Sequence, residues 1–570
     1  MAEEVWMLQT KKADFKQIGA RFRIDPVTAR IIRNRGIEGE AAIDRYLNGT
    51  LDDLYDPMLL KDMERAVSIL CEAVDTGKKI RIVGDYDIDG VCSTYILLQA
   101  FERLGSDVDF EIPDRIKDGY GINESIIEQA HADGVEVILT CDNGISAFHQ
   151  VELAKKYGMT VVITDHHEVP LDGEKEKIPP ADAVIDPKQA DCPYPFPEIC
   201  GAVVAYKLVQ VLYARRGVPQ MEWLDLLEFA AIATVGDVMK LQDENRILVK
   251  YGLKKMAQTK NLGLRRLAEK NNLDLGAITA YHIGFVIGPC LNAGGRLKTA
   301  KEALALLRAQ SEEEAERLAE ELKELNDTRK DMTEQGTEAA KLQVESWYQK
   351  DKVLVVFLPE CHESLAGIIA GRLREYYQKP AIVLTRGEEA VKGSGRSIDE
   401  YHMFKKLTEV SDLLLKFGGH PLEAGLSREE KNIDEFRRRL NENAGLTEED
   451  FKAKVWIDVP MPVGYVTERL VRELSCLEPF GQGNEKPLFA EKSLRIRASR
   501  VLGRNRNVVK MTLEETDGHA IEALYFGDGT AFEEERAGRR EIDVVYYPDI
   551  NEYNGRKTLQ AVIRRYKFRG

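Results

Sequence analysis

Between Lys79 and Asp186 short runs rich in β-branched residues alternate with helical stretches, and this alternation most restricts what the chain can fold into. KIRIVG, SDVDFEI, VEVILT, MTVVIT and ADAVID read as strands, separated by segments long enough for a helix. Strands that are apolar throughout are covered on both faces, which points to a parallel sheet with helical crossovers. Open parallel sheets place their sites beyond the carboxyl ends of the strands. Chemistry is therefore expected in the residues that follow each run.

After IRIVG come Asp85, Asp87 and Asp89, then Gly90; after VEVILT comes Cys141-Asp142-Asn143-Gly144; after MTVVIT comes Asp165-His166-His167. Alternate residues of an extended segment share a face, so the first three carboxylates crowd one spot and call for a positive partner. A fourth acid, Asp237, interrupts the apolar FAAIATVGDVMKL, where a charge also needs a partner. Oxygen donors of this kind suit a hard divalent cation, Mg²⁺ or Mn²⁺. A calcium loop is excluded, because its twelfth position, counted from Asp85, is Ile96 instead of Glu, and the upstream segment is a strand. Neighbouring residues at a strand end point to opposite faces, so one of His166 and His167 is expected to bind metal and the other to meet substrate.

At 570 residues the chain needs about three or four domains. No apolar run approaches the roughly 18–20 residues of a membrane span, and the acidic start of MAEEVWMLQTKKADFK is unlike a signal peptide. Eight cysteines without a CxxC pair argue against a zinc ribbon or disulfide framework and for a reducing cytoplasm. The net charge of −16 runs against nucleic-acid binding, yet positive charge is segregated. Ser493 to Lys510 carries Arg495, Arg497, Arg500, Arg504, Arg506 and Lys510 with no acid, and the closing RRYKFRG adds four more basic residues.

Coarse reading divides the chain into five parts: a helical cap at 1–75; an α/β parallel-sheet domain at 76–298; a helical connector at 299–349, broken near Gln310-Ser311; a second α/β domain at 350–450; and a β-rich domain at 455–570 with the spacing of a small barrel. In the second lobe GSGRS and GGH offer glycines whose amides could converge on an anion, with Arg396 as a bidentate donor and His420 alongside. The basic stretch of the barrel, with Phe480, Phe489, Tyr525, Phe526 and Tyr553 nearby, suits a groove that tracks a single strand and stacks its bases. Some of those aromatics are needed for the barrel core.

GDYDIDG, TCDNGIS, TDHHEVP and VGDVM resemble the successive motifs of the DHH phosphoesterase superfamily, with Asp165-His166-His167 as its signature. GSGRS and FGGHPLEAGL resemble the DHH-associated domain, and LEPFGQGNEKPLF resembles the opening of the C-terminal OB-fold of the RecJ family of single-strand-specific 5′→3′ exonucleases. The resemblance spans essentially the whole chain. It implies two divalent cations, Mn²⁺ or Mg²⁺, held by Asp85, Asp87, Asp142, His166 and Asp237, with Asp165 supporting the histidines and His167 facing the scissile phosphate. Asp89 is either a ligand or a residue behind the ligands. Arg115, Arg296, Ser394, Arg396 and His420 are the implied phosphate and substrate contacts.

The sequence departs from the family pattern in two places. Arg81 stands where some members carry an additional histidine, which would leave one metal position short of a ligand. CHESLAG at 361–367 replaces a Trp-His-x-Gly-type segment. The implied function is a cytoplasmic exonuclease of DNA repair and recombination that degrades single-stranded DNA by two-metal hydrolysis and releases 5′-mononucleotides, with a helicase and a single-strand-binding protein as partners. A phosphoesterase of short oligonucleotides or cyclic dinucleotides would not need the barrel, and a non-catalytic replication scaffold would have lost its ligands.

Overall fold

The computed structural model describes residues 4–553 and 555–569, without the side chain of Tyr553. The chain forms two compact units. One contains Leu54–Met239 and Leu248–Ala453; the other contains Glu4–Asp53, Lys240–Ile247 and the chain from Lys454 onward. Among the described residues no helix is long and apolar enough to cross a membrane.

The first unit opens with five parallel strands: β1 (Ile80–Val83), β2 (Val108–Glu111), β3 (Val137–Cys141), β4 (Thr160–Thr164) and β5 (Ala183–Ile185). Their order is β2-β1-β3-β4-β5. The chain runs outward from β1 to β2 and then returns to the other side of β1, so a topological switch point lies between β1 and β3. Helix α1 (Ile88–Arg103) starts at once after β1 because Asp87 caps it, accepting from the amides of Asp89 and Gly90 at 2.9 and 3.1 Å. Asn123 caps α2 (Glu124–Ala132) in the same way. Helix α3 (Phe148–Lys156) joins β3 to β4. Helices α4 (Gly201–Arg216) and α5 (Leu227–Gly236) are buried along most of their length, in keeping with their largely apolar sequences.

Helix α6 (Gly288–Leu297) closes the first lobe, and the 32-residue α7 (Glu312–Gln343) leads to the second. A short helix, Lys301–Arg308, precedes α7; the break between them carries Ser311 as the cap of α7. The second lobe contains β6 (Leu354–Phe357), α8 (Ala366–Tyr377), β7 (Ala381–Arg386), β8 (Val391–Arg396), β9 (Lys416–Gly419) and β10 (Glu423–Arg428). These strands lie in the order β9-β10-β8-β7-β6, with only β6 and β7 parallel.

In the second unit, β11 (Phe489–Leu502), β12 (Val508–Glu514), β13 (Ala520–Phe526), β14 (Glu541–Tyr553) and β15 (Arg556–Phe568) pair in the order β11-β12-β13-β15-β14. Strand β14 also pairs with β11, which closes the barrel. The helices Pro26–Asn34 and Glu40–Asn48 belong to this unit. Its LEPFGQGN segment is structural. The buried Arg246 guanidinium donates to the carbonyls of Tyr46, Cys476 and Leu477 at 3.1, 2.7 and 2.9 Å, and the Asn484 amide donates to Leu477 and Pro479.

Candidate metal centre and phosphate cleft

The acids reach one place because each follows a strand end or a helix end. Asp85 leaves β1, Asp87 caps α1, Asp142 follows β3, and Asp237 caps the C-terminus of α5. Asp142 has φ 61°, in the left-handed region that Asp and Asn tolerate better than most residues. The N-terminus of α4 packs directly on it. A Cβ at Gly201 would sit 2.7 Å from the Cβ of Asp142, so only glycine lets the helix come this near.

His166 Nε2 lies 3.1 Å from Asp142 Oδ1, 3.5 Å from Asp89 Oδ2 and 3.8 Å from Asp237 Oδ2. Three donor groupings result, each with its atoms within 4.8 Å of one another: Asp85, Asp87 and Asp142; Asp89, His166 and Asp237; and Asp142, His166 and His167. Asp142 and His166 each belong to two of them, the arrangement expected of residues between two adjacent cation positions.

The electrostatics of the donor set call for cations. Burial, then the Asp87 charge, pushes Asp85 up to about 8. Burial with the charges of Asp89 and Asp87 pushes Asp237 up to about 8, and burial with the neighbouring acids raises Asp142 well above the carboxylate range. Asp89 is raised too, first by burial. Burial lowers His166 and leaves it a neutral imidazole with a lone pair to offer. Such a set is stable with all acids ionised only around cations. Its donors are oxygen and imidazole nitrogen, a composition that fits Mn²⁺ or Mg²⁺.

Asp89 has a second task. Its carboxylate accepts from the amides of Gly201 and Ala202 at 2.6 and 2.7 Å and so fastens the start of α4, while Oδ2 still faces His166. Asp165 does not enter the groupings. Its Oδ1 accepts from the amides of His166 and His167 at 2.7 and 3.2 Å and from His167 Nδ1 at 2.7 Å, and its Oδ2 accepts from Ile145 N at 2.8 Å. Burial opposes the charge on His167, but the hydrogen bond and charge of Asp165 prevail and push it up to about 9.

The expectation that the two histidines point to opposite faces is corrected by the backbone. β4 ends at Thr164, so pleat alternation no longer applies, and the two rings lie 4.5 Å apart around the same acids. Three contributors were not singled out from sequence. Tyr120 donates to the Asp142 carbonyl at 2.8 Å and lies 3.0 Å from His167 Nδ1. Asn143 ties the ends of β1 and β3 to the loop before α2, donating to Val83 and Cys141 and accepting from Ile122 N. Asp186, buried just after β5, has an Oδ2 without a hydrogen-bond partner; burial and the Asp165 charge push it up to about 7. The rule applied to the other strand ends, an acid directly after an apolar run, would have found Asp186.

A cleft of about 580 Å³ opens beside the centre, with Tyr86, which lies between two of the acids, in its wall. Arg115, Arg296, Ser394 and Arg396 line it. Arg115 stacks over the Tyr86 ring at 4.8 Å. Arg296 donates to the Ser364 carbonyl at 2.9 Å, and burial, helped by the charges of Arg115 and Arg329, lowers it to about 10. Arg396 donates to Ser394 Oγ at 3.2 Å. A Cβ at Gly367 would lie 2.9 Å from Ser394 Oγ and 3.1 Å from Arg396 Nη2, so the last residue of CHESLAG is the floor on which these donors rest. Crowded, poorly compensated guanidinium groups of this kind fit phosphate.

Several expectations are redirected. GSGRS is not an amide nest, because Gly393 to Arg396 lie inside β8 and pair with β7 on one side and β10 on the other. The site there rests on side chains. His420 is exposed on the turn between β9 and β10 and is not among the cleft-lining residues. Arg81 is held at 2.7 and 2.8 Å by Asp109 and at 2.8 Å by Asp133, outside the metal groupings. In the barrel, Arg497 pairs with Glu514, Lys510 pairs with Glu522 and the exposed Arg506 donates to Thr530 Oγ1 at 3.0 Å, while Arg495, Arg500 and Arg504 are exposed without an ion pair among the described residues. Phe489 is core, Phe480 and Tyr525 pack against the core, and Phe526 is exposed. The Tyr553 side chain lies outside the described residues.

Comparison with known proteins agrees with this architecture. The DHH family N-terminal domain matches residues 79–234, the DHHA1 domain residues 350–445 and the RecJ OB domain residues 457–565. The single-stranded-DNA-specific exonuclease RecJ of Bacillus subtilis (strain 168) is 36% identical over 564 residues, covering 98% of this chain and 70% of that protein. That of Escherichia coli (strain K12) is 34% identical over 563 residues, 95% of each. The crystal structure of RecJ from Thermus thermophilus in complex with Mn²⁺ superposes with a TM-score of 0.84 at 28% identity, covering 99% of this chain and 80% of that one; its Mg²⁺ complex gives 0.78 at 27%. With the three domains matched in order and these relatives 34–36% identical over 95–98% of its length, the chain belongs to the RecJ family.

Proposed function

We propose that this chain is a metal-dependent exonuclease that degrades single-stranded DNA from its 5′ end and releases 5′-mononucleotides. The observation that carries the reading is the convergence of Asp85, Asp87, Asp142, His166 and Asp237, with an arginine-lined cleft beside them. Those five residues, with Asp89 behind His166, would hold two divalent cations. When bound, such ions supply Lewis acidity toward a phosphoryl oxygen and lower the pKa of water.

The chain's own residues do the rest. Arg115, Arg296, Ser394 and Arg396 grip the terminal 5′-phosphate, which sets polarity and register. His167, oriented by Asp165, donates a hydrogen bond to the phosphoryl oxygen as charge accumulates there. Water oxygen adds to phosphorus and the P–O3′ bond breaks with a proton going to O3′. The leaving nucleotide keeps its 5′-phosphate, and the shortened strand again ends in one. The cleft of about 580 Å³ beside the centre receives the terminal nucleotide. Arg495, Arg500 and Arg504 with the exposed Phe526 suit the barrel for holding the trailing strand. His420, outside the cleft lining, is assigned at most to the strand's approach. Work in the cytoplasm during repair and recombination, alongside a helicase and a single-strand-binding protein, completes the proposal.

The test is digestion of a long oligonucleotide labelled at either end with Mn²⁺. Mononucleotides should appear from the 5′ end only, and Asp142→Ala should abolish cleavage while strand binding in chelator persists. Full activity in that variant, or release from the 3′ end, would refute the assignment.

A further inference from the structure

The cleft has more cationic wall than one terminal phosphate occupies. Arg372 and Lys392 also line it, and neither has a carboxylate within ion-pair distance among the described residues. The wall does contain two acids, Glu363 and Glu375; Glu375 is engaged by Arg374 at 3.0 Å, and Arg396 is met from outside by Glu423 at 3.3 Å. Behind Arg372 stands Arg329, whose charge is felt at Arg296 and which donates to Asn326 Oδ1 at 3.1 Å.

The geometry of β8 turns these into a row. Lys392, Ser394 and Arg396 alternate along one strand and share one face, with about 6.6 Å between successive members. Opposite them α8 presents Gly367, pressed close to Ser394, and one turn on Gly371, where a Cβ would meet nothing nearer than Arg396 Cγ at 4.0 Å, so the open space lies beside Arg396. A phosphate seated at Ser394 and Arg396 thus has an open channel on one side. Arg372, next to Gly371 in sequence, and Lys392, two residues before Ser394 on β8, line the same cleft and offer further phosphate donors.

We propose that this channel accepts a 5′-di- or triphosphate, so that the enzyme removes the first nucleotide from triphosphorylated strand ends as well as monophosphorylated ones. The inference rests on the exonuclease reading above. In the first turnover water oxygen adds to the phosphorus of the second nucleotide, the P–O3′ bond breaks, and O3′ takes the proton. A nucleoside 5′-triphosphate leaves, and the remaining strand carries an ordinary 5′-monophosphate.

Because only that first turnover differs, the experiment reads release of a base-labelled first nucleotide from matched oligonucleotides ending in 5′-hydroxyl, 5′-monophosphate or 5′-triphosphate, with Mn²⁺. The triphosphate end should show a KM about fivefold or more below the monophosphate end, a modest gain for two exposed cations. The double variant Arg372→Gln/Lys392→Gln should erase that advantage while leaving the monophosphate KM within about twofold. A triphosphate end that is used no better than a 5′-hydroxyl, or a variant that impairs both phosphorylated substrates equally, overturns the proposal. If no substrate is digested from its 5′ end, the exonuclease reading itself has failed. A free nucleoside triphosphate, at fixed free Mn²⁺, separates the remaining source of the same chemistry. Competition that disappears in the variant, without any gain for the triphosphorylated strand, would assign the channel to a free nucleotide and overturn the strand form.

Discussion

Replacing Asp165 by Asn separates a residue that orients the site from one that holds metal. The carboxylate accepts four N–H groups, from Ile145, His166, His167 and the His167 ring, at 2.7 to 3.2 Å, and it is 1% exposed. An amide of the same shape keeps one acceptor oxygen and turns an NH₂ toward the donors that met the other. Hydrogen bonds to a charged group contribute about 1.5–3 kcal/mol each, so losing one and neutralising the rest costs about 2–4 kcal/mol. The cost falls on the orientation and charge of His167, which Asp165 holds up near about 9. About 2.7 kcal/mol in the transition state corresponds to about a hundredfold in kcat. Steady-state digestion of a 5′-monophosphorylated oligonucleotide should show that loss with KM changed less than about threefold. Mn²⁺ affinity, measured by calorimetry, should fall by about tenfold, the usual size for a residue behind the ligands. The decisive comparison is made at saturating Mn²⁺. If kcat returns to the wild-type value there, Asp165 acts only by supporting metal binding, and the role given to His167 is wrong.

The other predictions concern the acids, the cleft floor and the first strand. In the chelator-treated protein Asp85 and Asp237, at about 8, bind protons more tightly folded than unfolded. Their contribution is therefore complete below the ordinary carboxylate pKa and is lost as pH rises toward 8; the Tm gain on adding Mn²⁺ should grow from about pH 6 to about pH 8, and a constant gain would contradict the crowding. Gly367→Ala puts a methyl 2.9 Å from Ser394 Oγ; KM for 5′-phosphorylated strands should rise about tenfold with kcat at saturation little changed, whereas an unaffected KM would remove the phosphate role of that wall. Arg81→Met leaves Asp109 and Asp133 without their main partner; urea unfolding should show a loss of about 2–3 kcal/mol with unaltered Mn²⁺ affinity, and a lost metal would place Arg81 at the centre after all.

The ligands were legible because each interrupts an apolar run. Asp85, Asp142 and His166 follow strands whose partners cover both faces, and Asp237 ends a helix buried nearly throughout. Such interruptions are local, and a single sequence displays them. The second task of Asp89 was not legible, since its carboxylate caps a helix that starts 112 residues later. Nothing near Asp89 announces Gly201. Tyr120 and Asn143 act through backbone carbonyls and amides, for which almost any polar residue would read the same.

Glycines misled the reading of GSGRS for a definite reason. Glycine suits a turn, but it also suits a strand pressed closely by its neighbours. Gly393 and Gly395 do not have positive φ, and a Cβ on Gly393 would lie 2.5 Å from Leu384. They are small because of packing, so the amides stay in the ladder and the anion is left to Ser394 and Arg396. Gly201 and Gly367 obey the same logic beside the acids and beside the arginines. In both places the glycine lets one backbone approach until charged groups sit closer together than they would choose alone. The like charges thus concentrated, negative at the centre and positive in the cleft, are stable only when metal and phosphate arrive. Crowding in the free protein and specificity in the loaded one are therefore two consequences of one packing choice.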